Sequence, residues 1–252
     1  GIVVDLHLGH PGGDVDSALL GTIDLARYAA IRPLRTNSPF EDAPPLLLGN
    51  CLQVMPGLGR FDAVVTDPPY GIKADENPVR GSKKHKQKGW DREKPGKAAF
   101  AHIFRIAKTQ VIWGGNYFTE FLPASMRWLV WDKMQGDFSL ADCEFAWTSQ
   151  DAAARMFRYS RGAALRDGKE HPTQKPVALM EWCLGFLPDA VTILDPFMGS
   201  GTTLVACQRM GRQGTGIELD PDYFDAACRR VDEAARQPDL LIPAPPPPPV
   251  QE

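Results

Sequence analysis

The sequence predicts an α/β domain with a mostly parallel sheet and helices on both of its faces. Apolar runs typical of strands alternate with longer segments typical of helices, most clearly in the last third of the chain. Strands that alternate with helices in this way pair in parallel, because each helix crosses over one face of the sheet. Two turns rich in Gly or Pro directly follow apolar strands, and such turns form ligand sites at the carboxyl edge of an α/β sheet.

Composition and charge are those of an ordinary globular protein of 252 residues, with 43% hydrophobic and 23% charged residues. The formal net charge of −3 gives no global indication of a nucleic-acid partner. No apolar run approaches the ~18 residues of a membrane span, so we expect no membrane partner. Scattered cysteines without a Cys-x-x-Cys pair and dispersed histidines predict no disulfide framework and no metal site, and they favour a reducing, cytoplasmic compartment.

Three parts of the chain differ in composition. Residues 1–45 are a poorly defined N-terminal extension, in which Ser17–Ala30 has the pattern of a short helix. Residues 46–236 are the predicted folded domain. Residues 237–252 contain the run Pro243–Pro249 and are predicted to be a disordered tail, because proline has no backbone donor to give to a helix or sheet.

Within the folded domain, each predicted strand is a short apolar or β-branched run, and each predicted helix is a longer amphipathic or apolar run. The strand Leu46–Leu48 ends at Gly49, and Phe61–Thr66 is stopped by Asp67-Pro68-Pro69. The other predicted strands are Gln110–Trp113, Arg127–Trp131, Cys143–Trp147, Arg155–Tyr159, Val191–Leu194 and Gly214–Ile217. The predicted helices are Ala98–Lys108, Val177–Leu187, Thr202–Met210 and Pro221–Arg236.

A Gly-rich motif, Asp195-Pro196-Phe197-Met198-Gly199-Ser200-Gly201-Thr202-Thr203, links a β-branched strand to a helix. Glycines at such a junction let backbone N–H groups approach a ligand closely. A lone Gly-x-Gly is weak evidence, because it also occurs in ordinary turns. Here a second acid, Glu218, ends the following strand, and a carboxylate at that position suits ribose hydroxyls. The combination predicts a cofactor that contains a nucleoside.

Asp67-Pro68-Pro69-Tyr70 is the second motif. Its prolines remove two backbone donors and leave the Asp67 carboxylate and nearby carbonyls as acceptors, which suit the two N–H donors of an exocyclic amine. Tyr70 offers a face on which a planar base can stack. The alternative is a turn that only ends a strand. A third motif, His171-Pro172-Thr173-Gln174-Lys175-Pro176, is a stiff polar loop in which Lys175 could pair with a carboxylate. Taken alone, this motif favours an ordinary solvated loop.

The three motifs together resemble the DNA amino-methyltransferases, the adenine-N6 and cytosine-N4 enzymes, over about residues 46–232. Their order is like that of the β group, and Trp113–Tyr117 and Trp128–Lys133 look like the family's intermediate motifs. The resemblance, which extends to solitary or phage-borne adenine methyltransferases, implies a methyltransferase catalytic domain over 46–236. It also implies a Rossmann-like, mostly parallel sheet of seven strands, one of them antiparallel.

Carried over by position, the resemblance implies that Asp67, Pro68, Pro69 and Tyr70 hold a flipped target base. It implies a site for S-adenosyl-L-methionine formed by Asn50, Asp67, Thr173, Lys175, Asp195, Phe197, Gly199, Ser200, Gly201, Thr202, Thr203, Glu218, Leu219 and Tyr223. In this site Glu218 takes the ribose hydroxyls, and Tyr223 or Ile217 packs near the cofactor adenine. Asn50 stands where many relatives carry Asp, so the adenine contact lacks a charge there.

The implied activity is methyl transfer to N6 of adenine in double-stranded DNA, because Asp at the first motif position is commoner in the adenine enzymes. Cytosine-N4 methylation is the nearest alternative. A protein-glutamine methyltransferase and a non-catalytic nucleic-acid-binding subunit are further alternatives, against which the motif order and the intact Asp67 argue. None of the cysteines follows a proline, which argues against a cytosine-C5 enzyme.

Contacts with DNA are predicted in two basic segments. Residues 73–97, a predicted mobile loop, hold nine Lys or Arg and four acids, a balance of 9 − 4 = +5. The second segment, near Arg155–Lys169, carries Arg155, Arg158, Arg161, Arg166 and Lys169. The predicted DNA-binding residues in the two segments are Lys83, Lys84, Lys86, Lys88, Arg155, Arg158 and Arg161; solvated surface runs are the alternative. Flexible basic segments contact phosphates rather than base edges, so we expect a short or relaxed recognition site. A longer site would need another surface, such as a second copy in a homodimer.

Overall fold

The computed structural model describes residues 30–32, 46–72, 94–135, 141–160, 162 and 174–236. Its strands are β1 (Ala30–Arg32), β2 (Leu46–Leu48), β3 (Phe61–Thr66), β4 (Ala107–Trp113), β5 (Trp128–Asp132), β6 (Cys143–Thr148), β7 (Arg155–Arg158), β8 (Thr192–Asp195) and β9 (Gln213–Glu218). Its α-helices are α1 (Cys51–Val54), α2 (Lys97–Ile106), α3 (Val177–Gly185), α4 (Thr202–Arg209) and α5 (Pro221–Arg236). Short 3₁₀ turns lie at Met55–Gly57 and Gly115–Tyr117.

The nine strands form one sheet in the order β1-β2-β9-β8-β3-β4-β6-β5-β7. The pairs β2–β9, β9–β8, β8–β3, β3–β4 and β5–β7 are parallel. Strand β6 runs antiparallel to both β4 and β5, and β1 runs antiparallel to β2. The predicted mostly parallel α/β sheet is therefore confirmed.

The expected count of seven strands is wrong by two. Seven strands, from β2 to β5 in sheet order, lie between β1 and β7, and one of the seven, β6, is antiparallel. The two extra strands lie at the edges, where their backbone groups pair with β2 and β5. Edge strands otherwise leave a row of backbone donors and acceptors without partners, so the added pairing satisfies β2 and β5.

Most element boundaries agree with the sequence prediction to within two residues, and α5 spans the predicted Pro221–Arg236. The predicted helix Ala98–Lys108 is too long, because Ala107 pairs with Phe61 and begins β4. Of the predicted helix Ser17–Ala30, only Ala30 is described, and it begins a strand. The predicted disordered tail 237–252 and most of the predicted loop, residues 73–93, lie outside the described residues.

Two apolar clusters cover the two faces of the sheet. Alternate residues of β3 point to opposite faces, so that Val65 joins one cluster and Val64 the other. The first cluster contains buried residues of α3, α4 and α5, and the second contains buried residues of α1 and α2. Helices therefore pack on both faces, as the sequence predicts. In the part of the chain that is described, no helix has the length and apolar character to cross a membrane.

The position of a ligand crevice follows from the strand order. Strand β3 leads through α2 to β4 on one side, whereas β8 leads through α4 to β9 on the other, and β3 and β8 are neighbours. Their carboxyl ends are thus a topological switch point, where α/β sheets bind ligands. Asp67 directly follows β3, and Asp195 is the last residue of β8.

Candidate active site

A hydrogen bond joins the two turns at the switch point. The Thr66 hydroxyl at the end of β3 donates to Asp195 Oδ1 at the end of β8, over 2.7 Å. The Phe197 backbone N–H donates to the same oxygen over 3.1 Å. Asp195 is buried, and this burial raises its pKa to about 6. The Asp195 side chain therefore orders the Gly-rich turn from within the protein and ties it to the turn that contains Asp67.

The Asp67 carboxylate accepts hydrogen bonds at both of its oxygens. Lys175 Nζ lies 2.6 Å from Oδ2, and the Tyr70 hydroxyl donates to Oδ1 over 2.5 Å. The removal of Asp67 from water raises its pKa, and the Lys175 ammonium offsets this effect only in part. Lys175 is only 4% exposed, so its charge needs these partners. The prediction that Lys175 pairs with a carboxylate is confirmed.

Glu144 on β6 is a second carboxylate partner of Lys175, and sequence reasoning missed it. Its Oε2 lies 2.9 Å from Lys175 Nζ, and its Oε1 lies 2.6 Å from Lys133 Nζ. Desolvation alone would raise the pKa of Glu144, but the two ammonium groups outweigh it and lower the pKa to about 2. The available signal was a single acid in the otherwise uncharged strand Cys143–Thr148.

An aromatic pair lies beside Asp67. The rings of Tyr70 and Tyr117 stack with centroids 4.7 Å apart and planes 13° from parallel. Gly114 approaches the Tyr70 ring so closely that an added Cβ would overlap it, and its φ of 66° is the left-handed conformation that favours glycine. Tyr117 is exposed. The glycine thus fixes the Tyr70 ring beside the Asp67 turn, with the second, more accessible ring of Tyr117 against it.

The Gly-rich turn and Glu218, which the sequence predicts to hold a cofactor that contains a nucleoside, are in direct contact. Gly199 and Gly201 have positive φ values of 53° and 77°. The Gly199 N–H donates to Glu218 Oε2 over 2.9 Å, and the Asp220 N–H donates to Oε1 over 2.7 Å. The partial burial of Glu218 raises its pKa to about 7.

Two further side chains hold the Gly-rich turn in place. The Ser200 hydroxyl donates to Gln174 Oε1 over 3.1 Å, so that consecutive residues Gln174 and Lys175 contact the Gly-rich turn and Asp67 respectively. From α5, Arg230 donates to the Ser200 carbonyl over 2.6 Å and to the Thr202 hydroxyl over 3.2 Å. The polar loop before α3 therefore links the two parts of the crevice.

Comparison with known proteins finds a family that is similar to the part of the chain containing Glu144, Lys175 and the Gly-rich turn. Residues 108–229 match the family model N6_N4_Mtase, described as DNA methylase. This match, over just under half of the chain, supports the predicted resemblance to the adenine-N6 and cytosine-N4 DNA methyltransferases. Type II methyltransferase M.HpaI of Haemophilus parainfluenzae is 41% identical over 68 residues, which are 27% of this chain and 22% of that protein. Type II methyltransferase M2.DpnII of Streptococcus pneumoniae is 44% identical over 64 residues, 25% of this chain and 24% of that protein. The matches span less than a quarter of these relatives.

Solved structures share the fold over a larger part of the chain. The complex of M1.HpyAVI with S-adenosylmethionine has a TM-score of 0.50 and 22% identity, and the match covers 73% of this chain and 97% of that one. TTHA0409 of Thermus thermophilus has a TM-score of 0.50 and 19% identity, with 75% and 94% covered. The predicted methyltransferase fold is therefore confirmed.

The remaining predicted cofactor residues have the following positions. Thr202 and Thr203 are buried in the first turn of α4, and Tyr223 is buried in the first turn of α5. Leu219 is 69% exposed beside Glu218. Asn50 caps α1 by accepting a hydrogen bond from the Leu52 N–H over 2.9 Å. It follows Gly49, whose N–H bonds to the Glu218 carbonyl, so Asn50 lies near the end of β9.

The predicted DNA-binding residues are only partly described. Arg155 and Arg158 lie on the edge strand β7, and the Arg158 side chain pairs with Asp132 over 3.5 Å. Both lie on a different part of the sheet from the β3–β8 switch point. The others, Lys83, Lys84, Lys86, Lys88 and Arg161, and the predicted cofactor residue Thr173, lie outside the described residues.

Proposed function

We propose that this chain is an S-adenosyl-L-methionine-dependent DNA methyltransferase that modifies N6 of adenine. The observation that carries the proposal is the shared crevice at the switch point between β3 and β8. On one side, an acceptor carboxylate lies beside a fixed tyrosine ring, at Asp67 and Tyr70. On the other, a carboxylate at a strand tip contacts a Gly-rich turn, at Glu218 and Gly199. The Thr66–Asp195 bond couples the two sides.

The Gly-rich side fits the nucleoside part of the cofactor. Glu218 presents two carboxylate oxygens that already accept N–H donors, and ribose hydroxyls are donors of the same kind. The left-handed Gly199 and Gly201 bring the backbone close to this position without side chains in the way. Bound S-adenosyl-L-methionine supplies a methyl group on a positively charged sulfur.

The Asp67 side fits an exocyclic amine. The carboxylate can accept a hydrogen bond from the amine, which keeps the nitrogen lone pair directed at the methyl carbon. The Tyr70 ring gives the flipped base a stacking surface. The bound cofactor would supply the methyl carbon to the amine nitrogen and would keep the electron pair of its broken C–S bond on sulfur. The amine then loses one proton, which Asp67 can accept and pass to water, so charge and atoms balance.

Labelled product analysis tests the proposal. The protein is incubated with methyl-tritiated S-adenosyl-L-methionine and unmethylated double-stranded DNA, and the digested nucleosides are separated. We expect N6-methyladenine, and label in N4-methylcytosine would instead establish the cytosine alternative. The Asp67→Ala variant serves as the matched blank. Label in added protein, or none in any nucleoside while the cofactor binds, would refute DNA methylation.

Glu218→Ala is expected to weaken binding of the demethylated product cofactor by roughly 1.5–3 kcal/mol, the scale of hydrogen bonds to a charged group. Titration calorimetry measures the change, with the exposed Glu233→Ala on α5 as control. Because the pKa of Glu218 is about 7, wild-type affinity should fall as pH drops below 7 and the carboxylate is protonated. Glu218→Gln should lose this pH dependence. Equal affinities in wild type and Glu218→Ala would remove Glu218 from the site.

We also propose that residues 46–236 form the catalytic domain and that DNA contacts come from the basic segments named above. The positive charges of these Lys and Arg side chains suit the negatively charged phosphate backbone, since phosphate contacts dominate protein–DNA affinity. A short recognition site, a homodimer and a cytoplasmic location stay predictions.

A further inference from the structure

Glu144 is an acid at the active site to which neither the sequence motifs nor the proposed function gives a role. Its two carboxylate oxygens contact two different ammonium groups, those of Lys133 and Lys175. The Lys175 ammonium in turn donates to Asp67 over 2.6 Å and to the Tyr70 hydroxyl over 3.1 Å. An ammonium has three N–H donors, so Asp67, Glu144 and Tyr70 together use all of them. Lys175 therefore divides its charge between two carboxylates.

The antiparallel direction of β6 brings Glu144 to this place. The parallel strands end at the edge of the sheet that carries Asp67, whereas β6 begins there, because it runs in the opposite direction. Glu144 is the second residue of β6 and pairs with Trp131 of β5. Lys133 follows β5, and its N–H donates to the Asp142 carbonyl over 2.9 Å, which fixes the two side chains in register.

We propose that Glu144 is a positioning residue that preserves the acceptor strength of Asp67 by taking a share of the Lys175 charge. The inference rests on the proposed function, in which Asp67 accepts a hydrogen bond from the target amine. If Lys175 had Asp67 as its sole carboxylate partner, the ammonium would withdraw electron density from Asp67 alone. With Glu144 present, Asp67, Glu144 and Lys175 carry one net negative charge between them, and Lys133 balances it from the far oxygen of Glu144.

The charged and titratable groups around Asp67 determine in which direction its pKa should change when Glu144 is replaced. Lys175 lowers the pKa of Asp67, whereas the negative charge of Glu144 raises it. Tyr70 donates to Asp67, and Asp195 is a further carboxyl group whose own pKa is raised by the charge of Asp67. Glu144→Gln removes one negative charge and leaves Lys175 in place. The pKa of Asp67 should therefore fall.

A direct titration tests this without any methyl transfer. The ¹³C resonance of the Asp67 carboxyl, assigned from its absence in Asp67→Asn, is followed against pH in the wild-type protein and in Glu144→Gln. We expect the midpoint to move to lower pH by about one unit, the lower end of the effect of a nearby charge. Glu181→Gln, which breaks the Glu181–Arg209 pair at 3.6 Å, is the control and should not move it. An unchanged midpoint in Glu144→Gln would overturn the proposal.

The pH profile of single-turnover methyl transfer is the second readout. Glu144→Gln should slow transfer by up to about tenfold, since one pKa unit is a tenfold change in proton affinity, and shift the acid limb to lower pH. Glu144→Asp, which keeps the charge, should recover part of the rate, and the affinity for the product cofactor should not change. A uniform loss at every pH would make Glu144 purely structural. If the wild-type protein transfers no methyl group, the proposed function fails, and the titration still decides the inference.

If Glu144→Gln misfolds, the cause would be the Lys133 ammonium, which is only 13% exposed and loses its Glu144 carboxylate partner in this variant. The double variant Glu144→Gln/Lys133→Met removes both charges of that pair and keeps Lys175 with Asp67. A smaller fall in the pKa of Asp67, relative to the wild-type protein, is expected in this background, because the more distant Lys133 charge is removed together with that of Glu144. A rise or no change would count against the proposal in the same way.

Discussion

Replacement of Asp67 by Ala is expected to lower the rate of methyl transfer on the order of 10²-fold or more, the scale of losing one preorganised polar contact to a reacting group. Asp67 is the acceptor at the switch point that no other described side chain replaces, because Glu144 is occupied by two ammonium groups. Folding should be retained, since Lys175 keeps Glu144 as a partner in the variant. The affinity for the product cofactor should stay near the wild-type value, because Glu218 and the Gly-rich turn are unchanged.

Single-turnover rates with saturating cofactor measure this effect at the chemical step. Asp67→Asn keeps the shape of the side chain and removes its charge, so it separates acceptor strength from geometry. The exposed Asp151→Ala is a control for the loss of a carboxylate elsewhere. Near-normal turnover in Asp67→Ala would show that the Asp-Pro-Pro-Tyr turn does not hold the target amine.

The parts of the site that could be predicted from the sequence are the ones encoded locally. The Gly-rich turn joins β8 to α4, and its glycines, its preceding acid and Glu218 at the next strand end are close together in the chain. Their contact follows from the parallel pairing of β8 with β9. For Lys175, the sequence predicts only that the side chain pairs with a carboxylate. It does not indicate that this carboxylate is Asp67, because the sequence alone does not say which acid lies opposite.

Glu144 and Tyr117 could not be predicted, because their roles depend on the lateral order of strands. Glu144 reaches Lys175 because β6 is reversed between β4 and β5, and nothing local in Cys143–Thr148 indicates that direction. Tyr117 meets Tyr70 because Gly114 lets two segments from neighbouring strands approach each other. The end of α2 is a similar case, in which pairing of Ala107 with Phe61 overrides a local helical pattern.

Lys175→Met is expected to lower the free energy of unfolding by about 2–4 kcal/mol at pH 8. Breaking a fully buried ion pair costs about 3–5 kcal/mol, so the expected loss is somewhat smaller. The loss is expected to be smaller than for a fully buried pair because the side chains of Asp67 and Glu144 are 20% and 25% exposed and keep some contact with water. Methionine fills a similar volume, so that the loss reports charge rather than a cavity. Urea unfolding measures the loss, provided that the variant and the wild-type protein have the same dependence of unfolding free energy on urea concentration. Lys108→Met, at an exposed position of β4, is the control.

The pH dependence of this loss separates a missing charge from imperfect packing. In Lys175→Met, Asp67 loses the ammonium that lowers its pKa, so its pKa in the folded protein should rise further above the unfolded value of about 3.9. A carboxyl group with a raised folded pKa destabilises the protein as pH rises through that pKa, and the effect disappears near and below about pH 4. The variant should therefore be closer to the wild-type stability at pH 5 than at pH 8. Asp67→Asn/Lys175→Met, which lacks the stranded charge, should recover most of the loss at pH 8. An equal deficit at both pH values in the single variant would mean that the Lys175 ammonium does not stabilise the Asp67 carboxylate, and that its side chain contributes only by packing between Tyr70 and Trp113.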